Sequence, residues 1–294
     1  MNNLNELIQL ALDEDIGQND ITTEAIVGPN IKAVANIISK QDLIIAGLDV
    51  AEKVLYTYNP EIDWQPKCID GDECEQGDIL AVITGPAKDI LSTERTFLNF
   101  LQHLSGIATF TNLFVKTVET TNVKILDTRK TTPGMRTLEK HAVMMGDGAN
   151  HRMGLFDRYL IKENHIAIAG SITKAVELIN QKRNKNLLLE IETENLDDVK
   201  EALTCKADII MLDNMSLKDV KEAVSMVKGK AKLEVSGNIT LESILRYAST
   251  GIDYISVGAI THSAPAADIH MLIESYSSST MNGHIWSGIL RTDA

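Results

Sequence analysis

The second half of the chain alternates short, β-branched apolar runs with amphipathic helical patterns, and this rhythm restricts the fold more than any other feature. The runs are KILD at 124–127, YLIK at 159–162, LLLEIE at 187–192, DIIML at 208–212, KLEV at 232–235 and DYISV at 253–257. Most are separated by helical patterns such as SITKAVELINQKRN, NLDDVKEAL, SLKDVKEAVSMV and TLESILRYAST. Buried strands joined by helices call for a parallel sheet, because a crossover is needed to bring the chain back in the same direction. Six such units, spaced at roughly 20–35 residues, predict a TIM-like α/β barrel rather than an open doubly wound sheet. A dinucleotide fold would need GxGxxG directly after a strand. The nearest candidate, Gly146-Asp147-Gly148, lies far downstream of its strand.

The first half has another texture. Leu4, Leu7, Ile8 and Ala11 recur at helical spacing, so the chain opens on an amphipathic helix. From Lys32 to Pro86, the β-prone runs AVANIIS, LIIAG and ILAVIT flank the helical stretch DVAEKVLYTY, which predicts a small α+β domain. A long helical segment follows at 90–121, with Gly106 as a candidate break. The expected division is a domain at 1–114 that includes the linking helix, a barrel at 115–274, and a loosely ordered tail at 275–294.

Composition excludes several classes. With 44% apolar and 23% charged residues the chain can build a real core. A net charge of −13 argues against nucleic acid or an anionic membrane surface as partner. Cys68, Cys74 and Cys205 have neither CxxC spacing nor an even count, so they read as reduced thiols of a cytoplasmic protein. No apolar stretch approaches a membrane span, and MNNLNELIQLALDEDIG lacks the basic start and apolar run of a signal peptide.

The strand ends carry the chemistry. KILD runs into Thr128-Arg129-Lys130, YLI stops at Lys162, LLLEI at Glu192 and IIML at Asp213. KLEV leads to Ser236-Gly237-Asn238, and YISV to Gly258. In an α/β barrel the carboxyl ends of the strands form one rim, where catalytic groups gather. Residues 124–165 hold eight Lys or Arg against five Asp or Glu, a net of +3 inside an acidic molecule, with His141, His151 and His165 among them. A local cationic pocket implies a small, strongly anionic substrate, with Arg suited to carboxylates and Lys to phosphate. SGN and VGA precede helical segments, where free N–H groups make a phosphate site. Glu192 and Asp213 are acidic rim members suited to Mg2+ or ribose hydroxyls. There is no HExxH, no Walker A loop and no nucleophile elbow.

Several long blocks resemble the quinolinate phosphoribosyltransferases, the carboxylating nicotinate-nucleotide pyrophosphorylases. They are EDIGQNDITTEAI at 14–26, ERTFLNFLQHLSGIAT at 94–109, DTRKTTPG, NHRMGLFDRYLIKENHI, MLDN, VSGNI and ISVGAITHSAPAADI. The resemblance implies an N-terminal α/β sandwich domain and a C-terminal incomplete α/β barrel. It implies transfer of the phosphoribosyl group of phosphoribosyl pyrophosphate to quinolinate, with decarboxylation, to give nicotinate mononucleotide. Quaternising the pyridine nitrogen makes the ring its own electron sink, so no organic cofactor is expected, while Mg2+ is implied with phosphoribosyl pyrophosphate.

By the same resemblance Arg129, Lys130, His151, Arg152 and Lys162 form the cationic site, with Lys130, Lys162, Glu192 and Asp213 catalytic. Glu192 and Asp213 lie near ribose and metal. Thr128, Ser236, Gly237, Asn238, Val257, Gly258 and Ala259 complete substrate binding, and Arg95 is contributed by the neighbouring subunit of a homodimer, with room for a higher oligomer. Asp147 stands where the family usually has glycine, an acid beside the pocket. Two other readings remain open on the sequence: a molybdenum-transport-associated paralogue, and a Schiff-base aldolase using Lys162.

Overall fold

The structure is a computed structural model that describes residues 2–279 and 285–289. The chain divides into two compact units, Met1–Thr109 with Ala264–Ala294, and Phe110–Ser263.

The first unit contains α1 (Asn2–Ile16), α2 (Ile21–Ile26), β1 (Ile31–Ser39), β2 (Leu43–Ile44), α3 (Leu48–Tyr58), β3 (Asp63–Pro66), β4 (Glu73–Cys74), β5 (Ile79–Pro86) and the start of α4 (Ala87–Thr117). Along β1, Ala33, Ala35, Ile37 and Ser39 are buried in strict alternation, the period of a strand with one face on the core. Gly106 does not break α4, which runs unbroken through it. A side chain there would collide with the Pro265 carbonyl oxygen, so the glycine serves a close approach of backbone to helix.

The second unit, entered along α4, contains β6 (Lys124–Leu126), α5 (Arg136–Met145), β7 (Tyr159–Ile161), α6 (Glu163–Ala169), α7 (Ile172–Asn180), β8 (Leu189–Thr193), α8 (Leu196–Thr204), β9 (Ile209–Asp213), α9 (Leu217–Val227), β10 (Lys232–Ser236), α10 (Leu241–Ala248), β11 (Tyr254–Ser256) and α11 (Ala259–His262). Its six strands run in the order β6-β11-β10-β9-β8-β7, all parallel. The first strand therefore lies beside the last, as in a barrel, while β6 and β7 do not pair. A single bridge, Leu126 to Ala149, stands in that gap. The barrel is incomplete, as the resemblance implied. Three of its helices begin where short polar side chains cap them. Ser171 accepts from the Lys174 amide, Asn195 from Asp197 and Asp198, and Ser216 from Asp219.

Two expected borders move. The chain leaves the barrel at Ala264 and returns to the first unit through β12 (Ile269–Ser279), so 264–274 are not barrel residues. β12 pairs antiparallel with β1 from Ile31↔Ser278 to Ser39↔Ile269 and completes a five-stranded sheet, β13-β12-β1-β5-β3, with β13 spanning Ile285–Ile289. The reason is the open ladder of β1, whose groups on that side need a partner. Of the tail expected to be loose, residues 275–279 continue β12 and 285–289 form β13. The rest lies outside the described residues. The barrel unit begins at Phe110 rather than at residue 115, because α4 is shared and has no break to mark a border.

Gly106→Ala tests the close approach. Alanine would gain about 1 kcal/mol of helix propensity, but the rigid carbonyl imposes overpacking of about 1–3 kcal/mol or more. The expected outcome is a lower denaturation midpoint, read by thermal and urea unfolding. A more stable variant would show that the backbone yields.

Candidate active site

At the carboxyl ends of the parallel strands lies a cavity of about 790 Å³. Its walls come from the Phe110–Ser263 unit. Thr128, Arg129 and Lys130 reach it from the loop after β6, His151 and Arg152 from the loop before β7, and Lys162 from the end of β7. Glu192 and Asp213 stand on β8 and β9. Ser236, Gly237 and Asn238 follow β10, and Val257, Gly258 and Ala259 follow β11. Every residue expected at the site lines this cavity except Arg95, which is exposed on α4 in the other unit.

The cationic side is built around two arginines. Arg129 and Arg152 each bury an Nε–H with no acceptor among the described residues. Burial, and then the charge of Arg129, hold the Arg152 guanidinium below its ordinary pKa. Two like charges with unused donors in one cavity are a preformed demand for an anion. Lys162 pairs with Glu192 at 2.6 Å, which ties up the amine that a Schiff-base mechanism needs.

His151 is no simple member of this cationic set. Its Nδ1 accepts the Arg152 amide at 2.8 Å, so the ring proton sits on Nε2, which faces the Glu190 carboxylate at 3.1 Å. Its backbone is fixed as firmly. The His151 amide donates to Asp127 at 2.8 Å and its carbonyl accepts from the Lys140 ammonium at 3.1 Å, while Lys140 and Asp127 form a buried ion pair. Desolvation raises the Asp127 carboxyl and lowers the Lys140 ammonium, each against the pull of its partner.

On the opposite wall the backbone comes close to the cavity. Gly237 has φ 97°, and a side chain there would collide with the Asn214 amide, which also accepts from Asn238 Nδ2 at 3.0 Å. Asn214 Nδ2 in turn donates to Asp213 at 2.7 Å, so one asparagine ties the β9 acid to the β10 loop. Thr261 Oγ1 donates to the Lys130 carbonyl at 2.8 Å and fixes the loop after β6 from α11.

Sequence reasoning missed Leu160, Met211, Asn214, Glu234, Ile239, Thr240, Ser256 and His262 in the lining. The available signal was strand alternation. Met211 and Glu234 each lie two residues before a rim residue already singled out, hence on the same face. Asp147 does not line the cavity. It is exposed with φ 62°, a left-handed conformation that glycine adopts freely and Asp tolerates, so the departure at this position is conformational.

An open α/β barrel with an arginine-rich wall facing glycine loops defines a barrel protein that handles small polyanions. A sequence model of the quinolinate phosphoribosyl transferase C-terminal domain matches residues 107–272, and one of the N-terminal domain matches 20–105. The chain is 40% identical over 268 residues to a probable carboxylating nicotinate-nucleotide pyrophosphorylase of Bacillus subtilis, covering 91% of this chain and 92% of that one. It is 39% identical to a mitochondrial decarboxylating quinolinate phosphoribosyltransferase of Nicotiana glauca, covering 92% and 82%. The solved nicotinate-nucleotide pyrophosphorylase of Francisella tularensis superposes with a TM-score of 0.89 at 43% identity, covering 92% and 96%. The chain belongs to the quinolinate phosphoribosyltransferase family.

Lys140→Met removes the cation that neutralises Asp127 and supports the His151 carbonyl. Leaving one partner of a buried pair uncompensated costs about 3–5 kcal/mol. Chemical denaturation is expected to show a loss of that size, and a loss under about 1 kcal/mol would contradict the pairing.

Proposed function

We propose that this chain transfers the phosphoribosyl group of phosphoribosyl pyrophosphate to the ring nitrogen of quinolinate and releases pyrophosphate and CO2, giving nicotinate mononucleotide for NAD biosynthesis. The observation that carries the reading is that Arg129 and Arg152 line one cavity and that each has a buried Nε–H without an acceptor among the described residues. Two adjacent ring carboxylates supply the acceptors these donors lack. Lys130 and Lys162 add cationic charge, and Ser236, Gly237, Asn238, Val257, Gly258 and Ala259 offer close backbone approach for the 5′-phosphate. Thr128 and His151 complete the quinolinate side.

The pyridine nitrogen attacks C1 of the ribose as pyrophosphate departs, through an oxocarbenium-like state stabilised by fixed charges. The C2 carboxylate then leaves as CO2, the electron pair stays on C2 as an ylide beside the quaternised nitrogen, and C2 takes a proton from water to give nicotinate mononucleotide. Glu192 and Asp213 are the residues that would hold Mg2+. Their hard oxygens fit it, although Glu192 is shared with Lys162. Bound with the pyrophosphate, Mg2+ supplies charge neutralisation of the leaving group.

The proposed unit is a homodimer in which Arg95 enters the neighbouring site. Leu155, Phe156 and Ile168 on the barrel unit are 73%, 76% and 89% exposed, an apolar group of the kind assemblies cover. Among the described residues no helix is long and apolar enough to cross a membrane. Three free thiols support a reducing compartment, the cytoplasm.

Incubation with quinolinate, phosphoribosyl pyrophosphate and Mg2+ is expected to yield CO2 and nicotinate mononucleotide, with nicotinate a poorer substrate by about 10⁴ in kcat/KM because it leaves polar groups unpaired. Calorimetry divides the roles within the site. Arg152→Ala should weaken quinolinate and spare phosphoribosyl pyrophosphate, and Asp213→Asn should do the reverse. Equal losses of both ligands in both variants would contradict the assignment.

Subunit exchange tests Arg95. Arg95→Ala and Lys130→Ala should each be nearly inactive, yet equal mixing should restore roughly a quarter of wild-type activity, since each mixed dimer regains one intact site. Exchange confirmed by native mass spectrometry without any recovery would remove Arg95 from the partner's site.

A further inference from the structure

Two strands carry an acid deeper in the barrel than the rim. On β8 Glu190 precedes Glu192 by two residues, and on β10 Glu234 precedes Ser236 by two, so each deep acid shares the inward face of its rim neighbour. Both carboxyls are fully buried, and with the His151 ring they offer oxygen and nitrogen atoms within 4.8 Å of one another. A metal ion would suit three such groups, but the His151 ring excludes one. Its Nδ1 already accepts the Arg152 amide, so Nε2 carries the proton and has no lone pair to give.

Glu190 has its donors, His151 Nε2 and Arg158 Nη1, each at 3.1 Å. Glu234 has weaker help, from the nearby Ser256 hydroxyl and the charge of Arg158. Neither of its oxygens finds a hydrogen-bond donor among the described residues, and His151 Nε2 is 3.6 Å away. Burial first, and then the Glu190 charge, push its carboxyl well above the carboxylate range. Two acceptors that face each other in a low dielectric are reconciled by one shared proton, and Glu234, the carboxyl pushed up, is the one suited to carry it.

From Glu190 the bonds close a ring. His151 receives the Arg152 amide at 2.8 Å, and Arg152 Nη1 donates to the Arg158 carbonyl at 3.2 Å, while Arg158 returns to Glu190. Arg152 is thereby fixed at its backbone and, through Nη1, at its guanidinium. Glu190 also offsets the charge of Arg158, so that Arg152 and Arg129 keep theirs for a ligand. Glu190 itself does not line the cavity.

We propose that Glu190 is a positioning residue for substrate-carboxylate recognition, orienting Arg152 through His151 and Arg158, with Glu234 as the acid that holds Glu190 in place. The role rests on the quinolinate reading above.

The test is calorimetric titration of quinolinate, and separately of phosphoribosyl pyrophosphate with Mg2+, into the full chain and its variants, beside steady-state kinetics. Glu190→Gln should weaken quinolinate and raise its KM by about 10–100-fold, the usual effect of losing a group that orients a binding residue. Phosphoribosyl pyrophosphate affinity should change far less. Unchanged quinolinate affinity, or equal loss of both ligands, would overturn the role. Should Glu190→Gln fail to fold, the Glu234 variants decide. Glu234→Gln keeps a donor toward Glu190 and should retain more quinolinate affinity than the similarly sized Glu234→Leu, and equal affinities in the two variants would overturn the proposal. Failure of the unmodified chain to bind quinolinate overturns the functional reading itself, and is distinct from binding that Glu190→Gln leaves intact.

Discussion

Asp127 and Lys140 are buried together at the base of the barrel rim, and the Asp127 carboxylate does more than neutralise a lysine. A charge taken out of water costs several kcal/mol unless donors meet it, so a buried pair survives only with good geometry and further hydrogen bonds. Here two of those further bonds go to one residue, since the His151 amide reaches Asp127 and the His151 carbonyl receives Lys140. The pair therefore fixes the start of the loop that carries Arg152. Misplacing it would move the cationic wall as a whole.

That wall is a site with its energy stored in repulsion. Burial and then the Arg129 charge disfavour the charge of Arg152, and each arginine has a buried donor without an acceptor among the described residues. In the free protein both features are costs, and an anion relieves them together. Such preorganised charge is worth most where water is excluded, because nothing need reorient when the ligand arrives. The opposite wall works by absence of side chains. Gly237 lets the loop after β10 pack against Asn214, and that asparagine couples Asp213 to the loop.

The rim was legible in the sequence because each parallel strand ends in a polar residue at a point that apolar periodicity makes easy to find. Lys162, Glu192, Asp213 and Gly258 needed no tertiary information to be singled out. Glu190 and Glu234 were equally visible as letters, yet they sit inside runs that read as hydrophobic strand, LLLEIE and KLEV. Only the alternation of faces, anchored on the rim residues two places ahead, marks them as interior.

The sequence by itself determined the barrel and the strand-end residues of its rim, because strand and helix periods are local properties, and its resemblance to the family implied the incomplete form. Tertiary structure decided the rest. The closing strand β12 joins β1 in the first unit rather than the barrel, since an open ladder far away in sequence needs its groups paired. The proton on His151 is placed by the neighbouring amide, and the Glu234 carboxyl is pushed up by burial and then by a second carboxylate on another strand. Pairing and ionisation depend on which distant groups meet in a low dielectric, and that is set only when the chain is folded.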